Sequence, residues 1–174
     1  MKNNLQLFRE AERSNDAQTQ RRICNTLLRR EPDHLPALEL KSKSLWRSGH
    51  FREALETISK AIALNPQELG YYFLRGDCLQ HLARYGEAVR EFEKCRDSKD
   101  AQLSSEAEIR IKALEAFQEN IIAELINCNP HFRDEYRERP TEALQAHGFA
   151  FSEKKPDETA IEKNVKPSLW ARPS

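Results

Sequence analysis

The chain has 174 residues, and 28 Lys plus Arg balance 28 Asp plus Glu, so the formal net charge is +0. This balance disfavours a nucleic-acid-binding protein and excludes a polyacidic tail as the dominant feature. Only 5 Gly and 8 Pro are present, which indicates uninterrupted helices and little material for glycine-rich phosphate loops.

The sequence predicts neither a membrane anchor nor a secreted protein. No apolar run approaches the roughly 20 residues that a membrane-spanning helix needs. Arg9 and Glu10 interrupt any signal-peptide core near the N-terminus. The four cysteines lack the spacing of a metal or redox motif, so we interpret them as small helix-packing residues in a reducing compartment. A cytoplasmic location is expected.

An internal repeat organises the N-terminal part of the chain, up to position 102. Pro32 and Pro66 each follow a helical pattern, and the interval between them sets the repeat length. The same register aligns residues 49–55, GHFREAL, with residues 83–89, ARYGEAV. Each stretch has a turn, an aromatic residue and a Glu-Ala pair that opens a second helix. We therefore divide this part into units 1–34, 35–68 and 69–102.

This pattern resembles the tetratricopeptide repeat, a helix–turn–helix unit of about 34 residues. The resemblance rests on small and aromatic residues of the second and third units: Gly49, Phe51, Ala54, Ala61, Pro66, Tyr72, Gly76, Tyr85, Ala88 and Phe92. Small residues let helices approach closely, and aromatic rings fill the wedge between paired helices. Unit 1–34 is degenerate. The resemblance implies an all-α solenoid of about three repeats.

In such a solenoid the first helix of each unit lines a concave surface, the predicted groove. The repeat register assigns nine residues to it: Arg9, Glu39, Lys43, Trp46, Arg47, Phe73, Asp77, Gln80 and His81. Mixed charge with two aromatic residues suits an extended peptide or a partner helix. Alternatively, Glu39, Lys43 and Arg47 stabilise a solvated helix through their i,i+4 spacing.

Residues 103–128 are predicted to form a capping helix on the third repeat. The sequence Ser105-Glu106-Ala107-Glu108 is typical of a capping box and places the helix start at Ser105. Apolar residues recur at three- and four-residue spacing as far as Asn127. Ile122 and Ile126 widen this apolar stripe, so either further helices of the chain pack there or a second copy does, giving a homodimer.

Two short helices are predicted in residues 129–151, one beginning at Pro130 and one after Pro140. This stretch resembles the nitrile-hydratase-type leader peptide module, through residues that include Pro130, Phe132, Pro140, Leu144, Gly148 and Phe149. The resemblance implies recognition by a peptide-modifying enzyme, with the segment after about Ser152 as the part that is modified. The alternative is that both helices are additional capping elements.

Residues 152–174 are polar, contain three prolines and show no helical period, so we expect a disordered tail. Leu169-Trp170 stands out within it, either as a short docking motif or as apolar residues that pack back onto the domain.

Motifs for catalysis are missing from the sequence. The five histidines are isolated, and no G-x-S-x-G, Walker or dinucleotide-binding pattern occurs. We therefore expect a protein that is not an enzyme and uses no cofactor or metal. The leading hypothesis is an interaction scaffold that binds a protein or peptide in the groove. A substrate or carrier of a modifying system and a self-associating structural protein are the alternatives.

Overall fold

The computed structural model describes residues 3–152 and 156–170, and within these ranges all regular secondary structure is helical. The predicted all-α class is therefore confirmed. The chain divides between Ala83 and Arg84 into two compact units, which are described in turn. This boundary falls inside the predicted third repeat, 69–102.

The first unit consists of five helices in succession. They are α1 (Asn4–Arg13), α2 (Ala17–Arg30), α3 (Leu35–Arg47), α4 (Phe51–Leu64) and α5 (Leu69–His81). Each helix packs against the next, and α3 also contacts α5. Helices α2 and α4 begin at positions 17 and 51, and helices α3 and α5 at positions 35 and 69, so both pairs of starts are separated by the predicted repeat length. The predicted helical repeat is therefore present in the structure.

Local sequence explains where these helices begin and turn. Asn3 and Gln6 form a capping box at the start of α1, and Asp16 accepts from two backbone N–H groups at the start of α2. Gly49 has φ +75° in the turn between α3 and α4, a conformation that costs a glycine little. The corresponding residue one repeat later is Ala83, whose φ of 58° is unfavourable because alanine carries a Cβ atom.

The core of the first unit is built from small and branched apolar side chains. Ala54, Ala61 and Cys78 are fully buried, which allows the helices to pack closely around Leu45 and Ile58.

The second unit is organised around one long helix. Its helices are α6 (Tyr85–Glu93), α7 (Ala101–Cys128), α8 (Pro130–Glu138), α9 (Pro140–Ala146), α10 (Glu158–Asn164) and α11 (Pro167–Trp170). α7 packs against α6, α8 and α10. It begins at Ala101, one turn before the predicted start at Ser105, because the Asp100 side chain accepts from the backbone N–H groups of Gln102 and Leu103.

The C-terminal part of the apolar stripe of α7 is covered by helices that follow it in the chain. Ile122 and Ile126 are buried in a core cluster with Phe132, Leu144 and Phe149. The predicted homodimer through a directly exposed Ile122/Ile126 face is therefore wrong for this structure. Of the two possibilities that the sequence left open, the packing of further helices is the one observed.

The expected disorder of residues 152–174 is wrong for residues 156–170, which contain α10 and α11. Ile161 is fully buried and Val165 is 5% exposed, while Leu169 packs at the edge of the same cluster. Ile161 in α10, Val165 at its C-cap and Leu169 in α11 recur at intervals of four, although the average composition of the segment is polar. Residues 153–155 and 171–174 and the side chain of Trp170 lie outside the described part, so the suggested docking role of Trp170 stays a prediction.

Candidate functional site

A pocket of about 470 Å³ lies on the first unit, among residues of α1, α2, α3 and α5. Four of the nine predicted groove residues line it, namely Lys43, Trp46, Arg47 and Asp77. The remaining lining residues are Glu12, Gln20, Leu40 and Leu74. We call this site the groove pocket.

Apolar side chains form much of the groove pocket. Leu40 and Leu74 occupy equivalent positions of consecutive repeats, and half-buried Trp46 lies with them. The Trp46 ring meets His81 edge-on with 6.1 Å between ring centroids, and His81 stacks on Phe51 at 4.1 Å. These ring contacts fix the orientation of the indole. Its buried Nε1–H has no hydrogen-bond acceptor in the described part of the chain.

Hydrogen bonds hold the basic side of the groove pocket in place. The Arg47 guanidinium donates to Gln20 Oε1 at 2.6 Å, and Gln20 Nε2 donates to the carbonyl oxygen of Ser14 at 2.7 Å. Gln20 is only 4% exposed, so this chain of bonds anchors Arg47 to a buried amide. The Arg47 guanidinium is thereby held in place at the edge of the pocket.

Further charged side chains at or beside the pocket come from α3 and α5. Lys43 Nζ lies 2.5 Å from Glu39 Oε1, and Glu39 Oε2 accepts from the Tyr71 hydroxyl at 3.2 Å. Burial, together with the Glu39 carboxylate, raises the pKa of Tyr71 to about 12. The i,i+4 pair that the sequence suggested as a purely stabilising contact thus forms. Asp77, only 8% exposed, places a carboxyl group from α5 on the pocket wall.

The remaining predicted groove residues do not line this pocket. Arg9 is exposed and borders a separate, open depression on α1, together with Gln6, Glu10, Arg13 and Ser14. Phe73 and Gln80 are half-buried on α5, and His81 stacks on Phe51.

Sequence reasoning missed Glu12, Gln20, Leu40 and Leu74. For Leu40 and Leu74 the repeat register itself was a sufficient signal, because they are equivalent positions on first helices. Gln20 lies on a second helix, which the groove prediction did not include.

The residues that resemble a leader module are divided between core and surface. Phe132, Leu144 and Phe149 are buried against α7, whereas Pro130, Pro140 and Gly148 are exposed at helix ends. The Phe132 ring is also packed edge-on against His147, with 4.9 Å between centroids. The three large apolar residues of this stretch therefore serve the core of the second unit.

In residues 3–152 and 156–170, no group of three or more His, Cys, Asp or Glu side chains is arranged to hold a metal ion. Within that described part, no helix has both the length and the apolar character to cross a bilayer.

Comparison with known proteins yields one family. The family model described as the TT21 fifth ARM repeats domain matches residues 7–114. The matched stretch runs from α1 into the first half of α7. No curated protein matches the chain. ARM and tetratricopeptide repeats are both stacked helical repeats, so the predicted resemblance is confirmed at that coarser level. The resemblance of residues 129–151 to a leader module has no support from these matches.

Proposed function

We propose that this chain, which belongs to the family of the TT21 fifth ARM repeats domain, is a scaffold that binds a peptide or helix of a partner protein. Helical-repeat domains generally mediate protein–protein interactions, because stacked helices present a long, continuous surface. The proposed binding site is the groove pocket of the first unit.

The observation that carries this proposal is the chemistry of the groove pocket. Leu40, Leu74 and Trp46 form an apolar surface in this pocket of about 470 Å³, which has room for an apolar side chain of a partner. Lys43 and Arg47 provide positive charge on α3, while Asp77 provides a carboxyl group on α5. An apolar anchor flanked by polar groups is the usual anatomy of a protein-binding hot spot, in which Trp and Arg are enriched.

We also propose the type of repeat, the mode of action and the location of the protein. The repeats are of the tetratricopeptide type, which is supported by helix starts at positions 17, 51 and 85 that follow one another at the interval of that repeat. The protein acts by binding rather than catalysis. Its location is cytoplasmic, which is consistent with four cysteines that are all free thiols.

The test begins with the tagged full-length chain, which is used to recover a binding partner from cells that express it. Direct binding of that partner is then measured for Trp46→Ala, Lys43→Glu and the control Lys60→Glu. Lys60 is exposed on α4 and does not line the pocket, so its charge reversal matches that of Lys43.

We expect Trp46→Ala and Lys43→Glu each to weaken binding at least tenfold, while Lys60→Glu leaves it unchanged. Circular dichroism checks that all three variants remain helical. If both pocket variants bind the partner as the unmodified chain does, the groove pocket is not the binding site.

The alternative, a carrier recognised by a modifying enzyme through residues 129–151, rests on the sequence pattern alone. An enzyme that binds Phe132, Leu144 or Phe149 would need the core of the second unit to open, because all three side chains are buried. Intact mass of the chain purified from its own cells tests this alternative directly.

A further inference from the structure

Side-chain amides of α7 bind the main chain of the segment that follows α9. Gln118 is fully buried, and its Oε1 accepts from the Ala150 N–H at 3.0 Å while its Nε2 donates to the Ala150 carbonyl at 3.0 Å. Asn127 repeats this arrangement further along α7. Its Nδ2 donates to the Asn164 carbonyl at 2.9 Å, and its Oδ1 accepts from the Lys166 N–H at 2.9 Å. Each amide thus satisfies one donor and one acceptor of the backbone, as a neighbouring β-strand would.

Carboxylates on the same helix add two more main-chain contacts. Glu115 Oε1 accepts from the Ser152 N–H at 2.5 Å, and Glu119 Oε1 accepts from the Asp157 N–H at 2.7 Å. These contacts involve backbone groups, so they do not depend on the side chains of the bound segment. α7 therefore binds exposed backbone groups just before and just after the short helix α10.

Apolar contacts supply the specificity that main-chain hydrogen bonds lack. Ile161 is fully buried and Val165 nearly so, in the cluster that contains Ile122 and Ile126 of α7. Leu169 packs at the edge of that cluster. A ligand of this surface therefore needs apolar residues at i, i+4 and i+8.

The segment of residues 156–170 is held chiefly by α7, with one further bond from the Arg137 guanidinium of α8 to the Leu169 carbonyl at 2.6 Å. α10 has 7 residues and α11 has 4, lengths at which an isolated helix is not stable in water. α10 packs chiefly against α7, and its bonds to Glu119, Asn120 and Asn127 lie in solvent-exposed positions. Elements with few partners and exposed hydrogen bonds are the ones that open locally while the rest of a protein stays folded.

We propose that the face of α7 from Glu119 to Asn127 is a docking site whose ligand is the segment of residues 156–170, supplied in cis here and by a second copy when two chains exchange it. Exchange of an identical element preserves every contact, which makes it a low-cost route to a dimer. Such a dimer differs from the one predicted from sequence, because Ile122 and Ile126 stay covered in both states.

The probe for this site is a fluorescent synthetic peptide of residues 156–170, added to full-length chains. In one chain the cis segment is disabled by Ile161→Asp and Val165→Asp, which leave α7 unchanged. A second chain carries Glu162→Ala, an exposed change on the same helix, as the control. We expect the double variant to bind the peptide at least tenfold more tightly than the wild-type and control chains, because their site is already occupied. A peptide with Ile161→Asp should bind to none of them.

Three results would overturn the docking site. The double variant could remain helical by circular dichroism and bind no peptide. It could lose its helical signal, which would make residues 156–170 part of an indivisible core. The peptide could also bind wild type and double variant equally, which would place its site elsewhere.

Exchange of the segment between two chains is tested by sedimentation after refolding from urea at high protein concentration. We expect a dimer fraction for the wild type and the control and none for the double variant. A wild-type chain that refolds only to monomer would contradict the exchange.

Discussion

Gly86 is the position at which the second unit should be most sensitive to a single methyl group. A Cβ atom at residue 86 would lie 2.7 Å from the nitrogen of Ala150 and 3.0 Å from the carbonyl carbon of Phe149, and it would also meet the carbonyl oxygen of Gly148. All three neighbours are backbone atoms, which cannot rotate away as a side chain can. Gly86→Ala must therefore push α6 and residues 148–150 apart.

The expected loss follows from what this shift would break. Overpacking of a filled interior costs typically about 1–3 kcal/mol. Each of the two Gln118–Ala150 hydrogen bonds contributes about 1 kcal/mol, and both stretch when Ala150 moves. The higher helix propensity of alanine offsets up to about 1 kcal/mol of this loss. We expect Gly86→Ala to lower the free energy of unfolding of this unit by about 2–4 kcal/mol.

Gly70→Ala is the matched control, because Gly70 is also the second residue of its helix, α5. Its added Cβ would meet only the end of the Glu68 side chain, at 3.2 Å, and that side chain can move. Hydrogen exchange of the Ala150 amide and of α6 measures the effect within the second unit, and urea unfolding measures it for the chain. If Gly86→Ala leaves Ala150 as protected as Gly70→Ala does, the close approach at Gly86 is not a constraint.

Three further predictions concern single residues. Ala83→Gly should raise the free energy of unfolding by about 1 kcal/mol in urea titrations, because φ 58° is unfavourable for alanine. Burial raises the pKa of Glu119, with smaller contributions from nearby carboxylates. The stability that this group contributes is therefore present below its ordinary pKa of 4.5, and it is lost as the pH rises through the raised value. When the pH is raised from 4.5 to 7, the midpoint of thermal unfolding should therefore fall less for Glu119→Gln than for wild type. An equal fall for both would contradict this prediction. Cys128 is exposed, whereas burial raises the pKa of Cys24 to about 11 and of Cys78 to about 12, so a thiol reagent at pH 8 should label Cys128 in the folded chain and the others only after unfolding.

The repeat was predictable because its signal is local and recurs. A proline, an aromatic residue and a Glu-Ala pair return at one fixed interval, and the helices of the first unit begin where that register places them. The start of α7 could have been found in the same way. Asp100 lies one repeat length after Pro66, at the break of the register, and it is the residue that caps α7.

The C-terminal segment was not predictable by the same means, because its partner is distant. Asn127 bonds to residues 164 and 166, and Gln118 bonds to residue 150, so the groups that order the segment lie several helices earlier in the sequence. Ile161 and Val165 alone are too few to reveal a helical period in a polar stretch. Only part of the groove pocket was predicted, and the reason is related. Periodicity places Trp46 and Lys43 on one helix face, but it does not show that Gln20 of α2 also lines the pocket.

Gly86 and the exchangeable segment are connected through Ala150. Ala150 is held from one side by the close approach of α6 and from the other by Gln118, so it fixes the point from which residues 156–170 reach their site. If this anchor loosens, the effective concentration of the cis segment falls, although none of its own contacts to Asn127 changes. Gly86→Ala should therefore let the fluorescent peptide of residues 156–170 bind more tightly than it binds wild type, but less tightly than it binds the Ile161→Asp, Val165→Asp chain. Binding equal to wild type, in a variant whose Ala150 amide has lost protection, would show that Ala150 does not position the segment.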